Sequence, residues 1–228
     1  MSYQQNLVRI KVVFDALEEL GPKVIFVGGA TVSLYADRIG EETRPTDDVD
    51  ILIEVLHYSD YAGIEEKLRL KGFSNDVESG VICRYKVQGI VVDVMPTAEE
   101  ILGFANKWYI EGYKYAMEHV INESYKINIF SPPYFLATKL EAFKDRGKND
   151  GRWSTDFEDI VYVLNNRSKI WSEIGEADYN VKSYLLTEFK NLVENKYIDE
   201  WISSHLGYGE QERTYHIIGS INELLEKN

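Results

Sequence analysis

The sequence predicts an α/β (α+β) fold, a mixed sheet flanked by helices and followed by a helical C-terminal region. Three observations carry that expectation. Over the first 130 residues, short apolar runs of strand length alternate with helical periodicities, glycine-containing turn signals separate them, and from Pro133 onward the pattern is almost wholly helical. The expected division is an α/β domain over 1–130 and a helical domain over 131–228, without a flexible linker or an internal repeat.

Leu7, Ile10, Val13, Phe14, Leu17 and Leu20 recur at helical spacing until Gly21-Pro22 stops them, which predicts a helix over about 5–20. Val24 to Val27 is an unbroken apolar run, a buried strand feeding the tight turn Gly28-Gly29. A helix over 30–39, a polar return over 40–46 and a strand over 48–54 follow. Residues 60–70 have helical composition, and 81–87 and 90–95 flank Gln88-Gly89 as a hairpin. Thr97-Ala98-Glu99-Glu100 reads as a capping box. Residues 125–130 alternate like one more strand, and Ser131-Pro132-Pro133 reads as a capped helix start. Further helices are expected over 133–144, 155–164, 182–194, 197–205 and 213–227, with 146–154 as a polar surface loop.

Composition narrows the functional classes. At 228 residues and 44% hydrophobic content the chain is able to bury an ordinary core, so disordered and fibrous classes do not fit. The first six residues lack a leader-like pattern and no apolar run approaches the ~18 residues of a membrane span, so a cytoplasmic protein without membrane attachment is expected. Cys83 is the sole cysteine, which rules out an internal disulfide and a cysteine metal cluster within one chain. The net charge of −13 disfavours passive adhesion to nucleic acid or an anionic membrane.

Asp48 and Asp50, one residue apart on a predicted strand, point to one face while Val49, Ile51 and Ile53 point to the other. Two carboxylates aimed at one point call for a cation between them, and oxygen ligands suit magnesium or manganese. Asp93 interrupts the apolar run Ile90 to Met95, where an unpaired charge is costly, so it faces a partner or a metal. If its strand lies beside 48–54, a third carboxylate reaches the same ion. The Gly28-Gly29 turn would supply backbone N–H groups and a helix N-terminus for an anion.

Gly28-Gly29, then Asp48-Val49-Asp50, then Asp93 on a later strand resemble the ordered motifs of the polymerase β nucleotidyltransferase superfamily. Arg44-Pro45-Thr46-Asp47-Asp48-Val49-Asp50 is similar to the Arg-x-Thr-x-Asp-hydrophobic-Asp stretch of its AbiEii-type members. Lys139-Leu140-Glu141-Ala142-Phe143, followed by Arg146 and by Asp156-Phe157-Glu158-Asp159-Ile160, is similar to their lysine-then-aspartate helices. The likeness spans roughly residues 24–165. It implies Mg2+ or Mn2+ held by Asp48, Asp50 and Asp93, with nucleoside triphosphate at Gly28, Gly29, Thr31, Arg44 and Lys139. Asp156 is the acidic residue of the second helix, counted by the resemblance with Asp48, Asp50, Asp93 and Lys139 as catalytic. The implied reaction moves a nucleoside monophosphate to a hydroxyl of RNA, protein or a small molecule, and the AbiEii likeness adds a toxin role with a cognate antitoxin.

Each residue also has a plainer reading. Gly28-Gly29 also reads as a simple strand-to-helix turn, and Asp48 and Asp50 as a solvated strand face, although the apolar residues that follow argue for a buried strand. Lys139 reads equally as a surface lysine, and Asp156 and Asp159 as charges near a helix start. Trp108, Tyr109, Tyr113 and Tyr115 are assigned to packing before base stacking. Lys139, Lys144, Arg146, Lys148 and Arg152 form a candidate basic patch for an RNA backbone. The rival to an enzyme is a catalytically inactive nucleotide-binding or regulatory partner with the same fold.

Overall fold

The computed structural model describes residues 2–38, 43–55, 58–103 and 105–228. The chain divides into two compact units, Met1–Leu34 with Glu42–Ser131 and Tyr35–Glu41 with Pro132–Asn228.

The first unit is built on a seven-stranded mixed sheet. Helix α1 (Ser2–Leu17) buries Leu7, Ile10, Val13 and Leu17, the helical stripe anticipated from their spacing. Strand β1 (Val24–Val27) is buried along its whole length, and β2 (Asp48–Ile53) pairs antiparallel with it. Helix α2 (Tyr58–Leu70) leads to β3 (Ser74–Asn75), β4 (Arg84–Val87) and β5 (Ile90–Pro96). Short helices α3 (Glu99–Leu102) and α4 (Tyr109–Lys114) precede β6 (Met117–Asn122) and β7 (Tyr125–Ile129). The strand order is β3-β4-β5-β2-β1-β7-β6, with β2 parallel to β5 and β1 parallel to β7. The unbroken apolar run of β1 follows from its central position, where both faces of a sheet are covered.

The second unit is helical: α5 (Pro132–Arg146), α6 (Thr155–Asn166), α7 (Ile170–Gly175), α8 (Tyr179–Val193), α9 (Ile198–Ser203) and α10 (Gln211–Glu226). Residues 35–38 belong to it. The Asp37 and Arg38 amides donate to the Asn166 carbonyl, Arg167 donates to the Tyr35 carbonyl, and Asp37 accepts from Ser168. The end of α6 thereby satisfies its carbonyls with a segment far away in sequence.

Several local expectations change. Instead of an α-helix over 30–39, Gly29–Tyr35 forms a 3-10 helix. The Thr31 amide and hydroxyl both return to the Gly28 carbonyl, three residues back, and β-branched Thr31 and Val32 disfavour an α-helical start. Residues 39–42, the last of that expected helix and the first of the expected return, lie outside the described residues. Thr97 does not cap α3, whose first turn follows Ala98 without a side-chain cap; its buried hydroxyl bonds Val55 at the end of β2 instead. Strand β6 escapes a pattern search because it is a half-exposed edge strand rich in polar residues. The 146–154 loop is only partly surface: Gly151 is buried so closely under Trp201 that an added Cβ would lie 2.7 Å from the indole. No helix among the described residues is long and apolar enough to cross a membrane.

Candidate active site

Strand register assembles the acidic face. Asp50 is the partner of Val27 on β1 and of Asp93 on β5, and Asp93 is the partner of Arg84 on β4. These residues form one row across four strands. Asp48 lies two residues before Asp50, so alternation gives it the same face. The β4–β5 hairpin sets the last pairing: Gln88 and Gly89 both have positive φ, 49° and 81°, the geometry of a two-residue turn. Val87 then faces Ile90, and Arg84 faces Asp93 three pairs further on.

Arg84 is the residue that the sequence reading passed over. Its Nε donates to Asp93 Oδ1 at 2.8 Å and its Nη2 to Asp93 Oδ2 at 2.7 Å, a two-pronged pair, while Nη2 also reaches Asp48 Oδ2 at 3.2 Å. A planar guanidinium matches a carboxylate in this way and binds it more strongly than a neutral donor would. The hydrogen bonds to Asp93 hold the Arg84 proton more tightly than in an ordinary arginine. The signal was present in the sequence, since counting outward from the Gln88-Gly89 turn brings Arg84 opposite Asp93. Beside it, burial pushes the Cys83 thiol up to about 11, and the negative charges of Asp93 and Asp50 add to the effect.

The glycine turn abuts this face. Gly28 has φ +72°, and a Cβ there would collide with the Asp50 carboxylate, so backbone conformation and close approach both require glycine. At Gly29 a Cβ would lie 2.7 Å from Arg44 Nη2 and 2.8 Å from Thr46 Cγ2. Arg44 therefore lies against the turn. The Thr31 hydroxyl, buried, is engaged by the Gly28 carbonyl. A seven-residue 3-10 helix replaces the expected α-helix after the glycines, so the anticipated helix-dipole contribution to anion binding is withdrawn.

Helix α1 positions the segment ahead of β2. Fully buried Asn6 accepts from the Thr46 amide at 3.2 Å and hydroxyl at 3.3 Å and donates to the Arg44 carbonyl at 3.4 Å. Arg9 donates to the Thr46 carbonyl. The Thr46 hydroxyl in turn reaches the Asp48 carbonyl at 3.1 Å. Neither Asn6 nor Arg9 stood out in the sequence, where they read as ordinary helix polar residues.

Lys139 and Asp156 come together in the helical unit. Lys139 Nζ lies 2.6 Å from Asp159 Oδ2 and 3.2 Å from Asp156 Oδ1, and all three side chains are at least nine-tenths buried. Arg146 reaches both oxygens of Asp156 at 2.7 and 2.8 Å. Burial works to raise the Asp156 pKa, but the Arg146 hydrogen bonds and the Lys139 charge outweigh it and leave the carboxyl below its usual range. Ser154 caps α6 by accepting from the Phe157 amide. Of the other three basic residues considered for an RNA backbone, Lys148 aside, Lys144 is engaged by Glu141 and Glu188 and Arg152 by Asp150 and Glu200. With Lys139, Lys144, Arg146 and Arg152 neutralised in this way, the patch makes a weak phosphate track.

Hard carboxylate oxygens on one face, already gathering a cation in the form of Arg84, have the donor chemistry for Mg2+ or Mn2+. Among the described residues, however, no group of three or more His, Cys, Asp or Glu side chains is arranged to hold an ion. The cation shared by Asp48 and Asp93 is the guanidinium.

No protein-family model and no curated protein matches the sequence. Among solved structures, the chain is similar to an antigenic nucleotidyltransferase-like protein from Paracoccidioides brasiliensis, with 18% identity and a TM-score of 0.54 over 93% of this chain and 99% of that one. The chain has the nucleotidyltransferase-like fold. A fainter likeness, with 15% identity and a TM-score of 0.48 over 85% of this chain and 97% of the other, is to the solution structure of the antibiotic-resistance factor ANT(2'')-Ia.

Proposed function

We propose that the chain is a divalent-metal-dependent nucleotidyltransferase that moves a nucleoside monophosphate from a nucleoside triphosphate to a hydroxyl acceptor. The observation that carries this reading is the register that aligns Asp50 with Asp93, with Asp48 on the same face and the Gly28 turn against Asp50. In the reaction the acceptor oxygen attacks the α-phosphorus, the bond to the bridging oxygen breaks, and pyrophosphate leaves. A bound Mg2+ or Mn2+ would lower the pKa of the attacking hydroxyl and neutralise charge on the leaving group. Asp48 and Asp50 would hold the ion, and Asp93 would complete the set and take the acceptor's proton. Gly28 makes room for the Asp50 carboxylate, and Arg44, lying over Gly29, supplies positive charge for the phosphates there. Lys139 and Asp156 enter this reading as a charge lock of the helical unit.

The acceptor, whether an RNA end, a protein side chain or a small molecule, is the open variable. A toxin role with a cognate antitoxin rests on the sequence motifs. The experiment is direct: the protein is incubated with each labelled triphosphate, Mg2+ or Mn2+ and a cell extract, beside an Asp50→Asn control. Label that appears in one fraction and depends on Asp50 supports transfer. The pairing of Arg84 with two of the three carboxylates favours a second reading, a nucleotide-binding partner without turnover. Triphosphate binding without any labelled product would select that one.

A further inference from the structure

We propose that Arg84 is a built-in counter-ion of the carboxylate face, which a divalent cation must displace from Asp93 and Asp48 before the site becomes competent. The inference rests on the reading of these carboxylates as ion ligands. Three observations lead to it. The guanidinium occupies both oxygens of Asp93 and one of Asp48, atoms that a metal would need. Register makes the pairing specific, because Asp93 is the direct cross-strand partner of Arg84. The guanidinium also has somewhere to go: Arg84 forms one wall of a cavity of about 400 Å3, shared with Asn75, Asp76, Val77, Val81 and Ile82. Asp76 borders the same cavity, its amide donating to the Arg84 carbonyl at 2.9 Å and its carboxylate accepting from Lys86 at 2.8 Å.

A guanidinium and a divalent ion cannot both sit within hydrogen-bond range of Asp93 without strong repulsion, so their binding is competitive. In the metal-free protein Arg84 relieves the repulsion among the carboxylates and keeps them in place. The same contact weakens the apparent affinity for the ion, since only the fraction of molecules with Arg84 displaced is competent to bind. An ion pair with a purely structural role has the opposite signature, because its loss would loosen the site and weaken binding.

The test is a Mn2+ titration of the full chain, followed by water-proton relaxation and by thermal melting, for wild type, Arg84→Gln, Arg84→Lys and Asp50→Asn. Arg84→Gln is expected to melt lower than wild type without metal and to bind Mn2+ about tenfold more tightly. Arg84→Lys is expected to fall between, since one ammonium does not grip both oxygens of Asp93, and it carries the test if the Gln variant does not fold. Equal or weaker Mn2+ binding by the Arg84 variants, with binding in wild type that Asp50→Asn abolishes, overturns the counter-ion role and leaves the metal reading standing. Absence of Mn2+ binding in wild type and in the Arg84 variants overturns both.

Discussion

In the helical unit Lys139 and Arg146 meet Asp156 and Asp159, two bases against two acids, with three of the four side chains almost wholly buried. On the sheet, Asp48, Asp50 and Asp93 share a face, and Arg84 is paired with two of them. The first cluster is matched within itself and, Arg146 apart, shut away from water. The second leaves Asp48 and Arg84 partly exposed, within reach of water and of ions in it. Removing one partner from a buried set leaves a charge stranded, whereas carboxylates that keep some exposure stay open to an incoming cation. The two clusters look alike in sequence, as acids near bases, and differ in burial.

The largest expected effect tests the matched cluster. Lys139→Met leaves Asp156 and Asp159 buried without their shared cation, so denaturant unfolding should show a loss of about 3–5 kcal/mol. A variant of wild-type stability would break the comparison and return Lys139 to the role of a phosphate ligand. The acidic face should behave in the contrary way. Asp50→Asn removes one of three repelling charges, so the metal-free variant should melt no lower than wild type. At a concentration about 100 times Kd, Mn2+ should stabilise wild type by about 2.7 kcal/mol, and the variant should lose most of that shift. Destabilisation of metal-free Asp50→Asn with the Mn2+ response intact would make Asp50 a structural carboxylate.

Asn6→Ala sharpens the picture of how the face is positioned. It removes buried hydrogen bonds to Arg44 and Thr46 and should cost about 1–2 kcal/mol, together with a weaker Mn2+ response. Loss of stability with unchanged Mn2+ binding would show that α1 braces the fold but not the face. The smallest effect belongs to exposed Arg146, whose ion pair with Asp156 is worth within about 1 kcal/mol. Because Asp156 titrates below its ordinary 3.8, its contribution is complete above that pH and fades as the pH falls through the lower folded value. Arg146→Gln removes part of the cause, so acid unfolding monitored by circular dichroism should begin at a higher pH in the variant. Identical acid transitions would count against that assignment.

The sequence by itself determined the strand nature of β1, β2 and β5, the helical character of the chain from Pro132 onward, and the common face of Asp48 and Asp50. Those features depend on local periodicity, which a chain displays without folding. It also marked Gly28, since a strand-to-helix turn invites glycine, although the reason turned out to include the Asp50 carboxylate lying where a Cβ would be. Tertiary structure alone decided that β5 lies beside β2 and aligns Asp93 with Asp50, because a parallel pairing depends on a long crossover connection and leaves no local signature. It alone decided that Lys139 is buried among aspartates, that Asn6 reaches across 40 residues to Thr46, and that residues 35–38 dock on α6. Contacts of that kind depend on how elements settle against one another, and a lysine on an amphipathic helix reads the same whether its ammonium ends in water or between two carboxylates.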